Sequence, residues 1–420
     1  MQTQTNIAVN SIKKFKYSII LANALDHYDT AIYAFLLPIL IDVFFASHKD
    51  LTFAILLSGG IIIRPLSSIL FSRLIYRYPK YQLLRISIIG CAITTFCMGL
   101  IWQKNIDGNY LFCLLIILRL IQNFFAAAES SIADIYILEI SSSKNYASMG
   151  GYYYACSLMG YFCASFAATL VVTSSKPALY LHIPFLLGII PGIIALGLRF
   201  ANVENLEKIL PLKHHNNDII SIFISLWENR IKLLQIFCSK GVSALTYYFI
   251  FVFHLKFIPE ITQISKSEIY LWHNILLLID IVLLVIMGKL CDHFNIKKWL
   301  ILNSMLLAIF ILPYCYLLKN ATFIKLAIIE ILLVTLAVGF SSGVMPYLIR
   351  QTEGCKDRYL LINVGGLLGS EILGRLTPGI CMLLYSYSNN VIMPGLYFLF
   401  ILLCATYCTF YCANKYEKSK

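Results

Sequence analysis

Charge is scarce in this chain. Asp, Glu, Lys and Arg make up 13% of its 420 residues, about half of what a soluble globular domain carries, which argues against a large soluble protein with buried helices. The P-loop pattern G-x-x-x-x-G-K-[ST] is missing, which argues against ATP-driven work within this chain. No CxxC pair occurs, so the 13 Cys residues, scattered through apolar segments, read as small hydrophobes and no structural disulfide is expected. Cys404, Cys408 and Cys412 share a helix face, but no His or carboxylate joins them, so packing explains them better than a metal site. No cleavable signal peptide is apparent, because the first apolar run is too long and lacks a small-residue cleavage site.

What fills the chain is apolar sequence: 59% of the residues are hydrophobic. Lipid offers no partner for backbone N–H and C=O groups, so a spanning helix needs about 20 mainly apolar residues. Twelve such runs lie near 17–45, 51–72, 83–103, 109–138, 147–173, 178–200, 231–257, 268–290, 298–318, 322–349, 360–386 and 391–413. Lys and Arg concentrate in alternate connections with a bias of about three to one. That bias places both termini in the cytoplasm, so the net charge of +12 reads as membrane topology and gives no support to nucleic-acid binding. The expected class is an all-α integral membrane protein of twelve transmembrane helices, with no separate soluble domain.

The longest polar connection splits the chain into a six-helix bundle over 1–200, a cytoplasmic linker over 201–230 and a second six-helix bundle over 231–420. The linker holds Glu204, Glu207, Lys208, Lys213 and Asp218, and its pair His214 and His215 reads as solvated loop rather than metal site. Between spans eight and nine stands Gly288-Lys-Leu-Cys-Asp292-His-Phe-Asn-Ile-Lys297-Lys298, and between spans two and three Ser72-Arg73-Leu-Ile-Tyr76-Arg77-Tyr-Pro79-Lys80. Gly288 allows close helix approach, Asp292 can accept hydrogen bonds at a neighbouring helix terminus, and Lys297 and Lys298 anchor the cytoplasmic face. The first segment resembles the G-x-L-x-D-R-x-G-R-R/K signature of the major facilitator superfamily. That resemblance implies a cytoplasmic gate in which Arg77, Lys80, Gly288, Asp292, Lys297 and Lys298 take part. The first-half copy departs from the family: Tyr76 occupies the Asp position, so this latch is expected to be weaker or built differently.

Ionisable groups at membrane depth cost several kcal/mol unless paired or hydrated, which makes them functional candidates. Asp26 and Asp29 are three apart on one helix face with Tyr33 one turn beyond, and two carboxylates so close do not both ionise easily, a chemistry suited to proton coupling. The run Asp26-His27-Tyr28-Asp29-Thr30-Ala31-Ile32-Tyr33 resembles the opening helix of the metabolite:proton symporter family, which contains proline/betaine and organic-acid carriers. Arg64-Pro65-Leu66 and Arg119-Leu-Ile-Gln122-Asn-Phe-Phe-Ala-Ala-Ala-Glu129 are similar to its second- and fourth-span motifs, with Asn123 and two Ala in place of glycines. Arg358, Gly365, Gly374 and Pro378 fall on a family-like frame in the eleventh span. Arg375 replaces a family Gly and stands four residues after Glu371. Lys240, Asp280, Glu371 and Arg375 have mostly apolar neighbours on both sides. Asp42, Glu330 and His254 read as headgroup-region residues, and Asp134 and Glu139 as interface anchors.

Two tyrosine clusters, Tyr152 to Tyr154 and Tyr247 with Tyr248, offer either cation–π faces or packing. Gly339-Phe-Ser341-Ser-Gly343 fits the nucleophile elbow G-x-S-x-G, but that motif needs a strand-to-helix turn and this one lies in an apolar span. The expectation is a secondary transporter, not an enzyme, moving a small polar metabolite with a proton by alternating access. Its solute and proton residues are Asp26, Asp29, Tyr33, Arg64, Arg119, Gln122, Glu129, Lys240, Glu371 and Arg375. An osmolyte such as proline or betaine is favoured, with an organic dicarboxylate or a non-transporting sensor as alternatives. No cofactor, metal or nucleic acid is expected; the partners are solute, proton and lipid, the protein a monomer of a bacterial cell inner membrane.

Overall fold

The computed structural model describes residues 24–25, 27–42, 60–74, 77–101, 108–140, 146–202, 219–355 and 357–417, which are helical apart from turns, with no strand among them. Ten helices are long and apolar enough to cross a bilayer. With the helices over 27–42 and Ile63–Leu74 they make twelve spans. Spans three to six are Gln82–Leu100, Tyr110–Ser130, Ala147–Val172 and Pro177–Gly197. Spans seven to twelve are Arg230–Ile261, Lys266–Asp292, Ile296–Leu318, Phe323–Gln351, Leu360–Ser388 and Ile392–Phe410. Large apolar side chains such as Ile193, Ile309, Ile324 and Phe400 are exposed on the outside, where a bilayer receives them without penalty.

The linker is less polar than its composition suggests. Ile219–Glu228 forms a helix directly before span seven, with Ile222 and Leu226 buried and Phe223, Ile224 and Trp227 exposed. Ser225 Oγ donates to Asp357 Oδ2 at 2.6 Å, tying this helix to the start of span eleven. An apolar helix with a polar tether at the end of the spans is suited to lie in a membrane interface. Residues 203–218, with His214 and His215, lie outside the described residues.

Within the first six spans, span four packs against spans two and three, and span three against span six; within the last six, span seven packs against spans eleven and twelve, and spans eight and nine against span ten. The two groups meet along two seams, span five on span eight and span two on span eleven. The first seam is tight because it is made of small residues. A Cβ at Gly151 would stand 2.7 Å from the Leu284 carbonyl oxygen, and one at Gly288 would stand 2.9 Å from that of Ala147, so only glycine permits this approach.

Two spans are interrupted by π-turns, Phe249–Phe253 in span seven and Ser370–Arg375 in span eleven. A π-turn inserts one extra residue and rotates the side chains that follow, which is why it recurs at functional positions. In span eleven it carries both Glu371 and Arg375. The G-x-S-x-G segment lies inside the continuous helix Phe323–Gln351. There the bare Gly339 carbonyl accepts the Trp299 indole at 2.6 Å and Ser341 accepts from Ser243 at 2.8 Å, so its small residues serve helix packing.

Candidate functional site

A cavity of about 300 Å³ opens between the two groups of six spans. Its lining combines two kinds of surface. Spans two, four and eleven supply Arg64, Arg119, Glu371 and Arg375, while spans one, five, seven and eight supply His27, Tyr161, Tyr247 and Asp280.

Glu371 is the hub of the charged part. Its carboxylate pairs with Arg64 at 2.8 Å and with Arg375, four residues on, at 3.3 Å. Arg375 also donates to Asn123 Oδ1 at 2.7 Å and to the Tyr248 hydroxyl at 3.2 Å. Asn123 on span four thus holds Arg375 on span eleven. Arg119 lies over the Tyr33 ring at 4.3 Å and donates to Gln122 Oε1 and to the Thr30 carbonyl. Gln122 is oriented in turn by bonds to the Asp29 carbonyl at 2.9 Å and to Thr95 Oγ1 at 2.7 Å. Lys240 donates to the Tyr154 hydroxyl and also lies over that ring.

The aromatic part is a ladder. His27 stacks on Tyr161 at 5.1 Å, Tyr161 meets Tyr247 at 5.0 Å, and Tyr247 meets Phe251 at 5.3 Å. Asp280 faces the same cavity. Among the described residues no basic side chain pairs with Asp280 and no donor bonds to it. An acid at membrane depth without a partner is expensive to ionise, and its carboxyl group is presented to whatever enters.

The ten candidates from sequence divide accordingly. Arg64, Arg119, Lys240, Glu371 and Arg375 line the cavity; Tyr33, Gln122, Asp29 and Glu129 are buried behind it within the first bundle. Asp29 Oδ1 points to span six, where Gly188 leaves room for it, and Glu129 accepts from Ser87 at 2.7 Å. Asp26 lies outside the described residues. Sequence reasoning singled out Asp280 only as a lone acid between apolar neighbours, and it missed Tyr161, a solitary tyrosine with no motif around it. Tyr152 is exposed and does not line the cavity.

At one end of the span five and span eight seam, Asp292 accepts from the backbone N–H groups of Ala147 and Ser148, each at 3.0 Å, and from the Ser148 hydroxyl. These are N–H groups of the first turn of span five, so the carboxylate caps a helix N-terminus from across the seam. Arg77 and Lys298 are exposed and Lys297 is half-buried. Tyr76 and the side chain of Lys80 lie outside the described residues. His254 and Glu330 are completely buried inside the second bundle, in contrast to a headgroup location; Asp42 is partly exposed and pairs with Lys266. None of the cysteines with described side chains forms a disulfide.

The family model of the Major Facilitator Superfamily matches residues 19–353. The chain is 25% identical over 406 residues to the proline/betaine transporter of Escherichia coli K12, covering 91% of this chain and 79% of that protein. It is 24% identical, over the same shares, to the glycine betaine/proline/ectoine/pipecolic acid transporter of Dickeya dadantii. Among solved structures it superposes on a D-xylose-proton symporter with a TM-score of 0.74 at 14% identity, covering 94% of this chain and 97% of that one. It also superposes on a partially occluded inward-open form of the E. coli xylose transporter XylE with a TM-score of 0.71 at 16% identity. The matched family model, the twelve spans and the cavity between two bundles agree: this multi-pass membrane protein is a transporter and not an enzyme, and the chain belongs to the Major Facilitator Superfamily.

Proposed function

We propose that the protein carries a small zwitterion of the proline/betaine type across a bacterial inner membrane together with a proton. The observation that carries this reading is the two-part cavity. Basic side chains gather on spans two, four and eleven, and Asp280 stands beside an aromatic ladder on spans one, five and seven. A zwitterion presents a carboxylate to the guanidinium groups, where bidentate hydrogen bonds are strong. Its ammonium end faces Asp280 and the tyrosine faces, which attract a quaternary cation through the ring quadrupole. The names of the relatives support the same class of solute.

A second reading has its own observation. Among the described residues, Arg64, Arg119, Lys240 and Arg375 line the cavity with the acids Glu371 and Asp280, an excess of basic groups that also suits an organic dicarboxylate. A thermal-shift screen on purified protein separates the two, since a ligand that binds only the folded state raises its stability. Proline and betaine are expected to raise Tm and dicarboxylates are not; the reverse pattern overturns the zwitterion.

Coupling is assigned to Asp29. It is buried behind Arg119, with its backbone carbonyl accepting from Gln122 and its carboxyl turned to span six, so it can take up a proton without competing for the solute's ammonium group. Asp29→Asn should lose proton-driven accumulation and retain exchange. The bundles 1–200 and 231–420, joined by the linker 201–230, rock about the cavity in a protein that works as a monomer. Both termini face the cytoplasm; a reporter fused after Lys420 should be cytoplasmic, and an external reporter overturns the even-span topology.

A further inference from the structure

The second bundle contains a cluster that the transport reading does not use. Near the connections between spans seven and eight and between spans nine and ten, about two helical turns inside the bundle, His254, His273 and Glu330 meet with no exposure at all. His254 Nδ1, His273 Nε2 and Glu330 Oε1 lie within 4.8 Å of one another. We propose that these three side chains bind a transition-metal ion of the zinc class.

Three observations converge on an ion. The first is the donor set, two imidazoles and one carboxylate, a combination that proteins use for zinc. Bonds of about 2.0 to 2.1 Å around a tetrahedral ion put neighbouring donors roughly 3.4 Å apart. The two separations from Glu330 Oε1, 2.9 Å to His254 and 3.9 Å to His273, bracket that value, so side-chain shifts of about half an ångström convert the cluster into a coordination sphere.

The second observation is a missing partner. Both ring nitrogens of His273 are buried without a hydrogen bond, and its surroundings are as apolar as the edge of Phe251. Buried polar atoms in folded proteins almost always have a partner, and leaving one without costs about 1 to 3 kcal/mol. An ion on Nε2 supplies it.

The third is an outer set of contacts that orients the donors, as metal ligands require. The Trp272 indole donates to the other carboxylate oxygen of Glu330 at 2.6 Å. The Tyr314 hydroxyl stands 3.3 Å from Nε2 and 3.4 Å from Nδ1 of His254. These contacts hold Glu330 and the His254 ring in place, while His273 is held by packing alone. The three ligands come from spans seven, eight and ten, so the ion would staple three helices of the second bundle, with Tyr314 of span nine beside them. Positions 254, 273 and 330 have no close sequence spacing, which is why the motif is invisible before folding.

The test uses untagged, full-length protein purified in detergent from zinc-supplemented cells. About one equivalent of zinc per chain should survive gel filtration; chelation should lower Tm and zinc should restore it. Cobalt added to the chelated protein should give the visible absorption of a four-coordinate site, and His273→Gln should abolish both retention and absorption. Wild-type protein that holds no metal, shows no cobalt band and has the same Tm with and without chelator overturns the proposal and leaves a dry His254–Glu330 pair sharing a proton. Equal metal content in wild type and His273→Gln overturns it too, by placing the ion elsewhere, for instance on His214 and His215. If His273→Gln does not fold, the wild-type cobalt spectrum decides.

Discussion

The two seams between the bundles are related by position but are held by different chemistry. On the span five and span eight seam, glycines bring the backbones together and Asp292 fastens one end by capping the first turn of span five. On the span two and span eleven seam the sequence has Tyr76 where the corresponding acid would be. There the fastening lies at the depth of the cavity, where Arg64 of span two pairs with Glu371 of span eleven at 2.8 Å. A hydrogen-bonded carboxylate at a wet helix end opens at modest cost. A buried ion pair lining the solute cavity is coupled directly to what the cavity contains. One seam is thus held by a helix cap at its end and the other by an ion pair at the cavity.

The largest effect is expected from Glu371→Gln, which leaves Arg64 and Arg375 close together without their counter-charge. Removing one partner of a buried pair costs about 3 to 5 kcal/mol, so Tm should fall sharply and transport should be lost. The double change Glu371→Gln with Arg64→Gln should recover part of the Tm, because it removes one of the two stranded charges. No recovery would show that the pair is not the fastening of that seam.

Next in size is the latch. Asp292→Asn should shift the population towards inward-open by about 1 to 3 kcal/mol, the usual range of coupling energies. Cysteine labelling at cytoplasmic and external pathway positions, with the reactive native cysteines removed, reads this shift, and unchanged labelling rates reduce the 288–298 segment to a charged loop. The smallest effect belongs to Tyr76→Asp, which restores an acid on the other seam and should favour the closed cytoplasmic side by less than Asp292→Asn opens it. An effect of equal size would make the seams equivalent and erase the distinction.

Much of this architecture was legible in the sequence, and the reasons are physical. The spans follow from the length of apolar runs, which depends on composition alone. The Glu371–Arg375 pair followed from four-residue spacing, although a π-turn rather than a regular helix delivers it. Cavity membership did not follow. Periodicity fixes which residues share a face of one helix, whereas rotation of that helix against its neighbours is set by packing. Asp29 illustrates the limit: its motif marked it as functional, yet Gly188 on span six gives it a niche behind the cavity. Tyr161 illustrates the converse, a residue without any motif that the fold places at the centre of an aromatic ladder.

The most direct measurement is counterflow of labelled betaine in proteoliposomes, comparing the wild-type protein with Asp280→Asn. The account predicts counterflow by the wild type, competition by excess unlabelled proline and none by a dicarboxylate. For Asp280→Asn it predicts a half-saturating betaine concentration raised about tenfold to a hundredfold, as expected for about 1.4 to 2.7 kcal/mol of lost charge interaction. Wild-type counterflow driven only by dicarboxylates, or an Asp280→Asn variant that handles betaine like the wild type, would contradict the two-part cavity as the basis of zwitterion recognition.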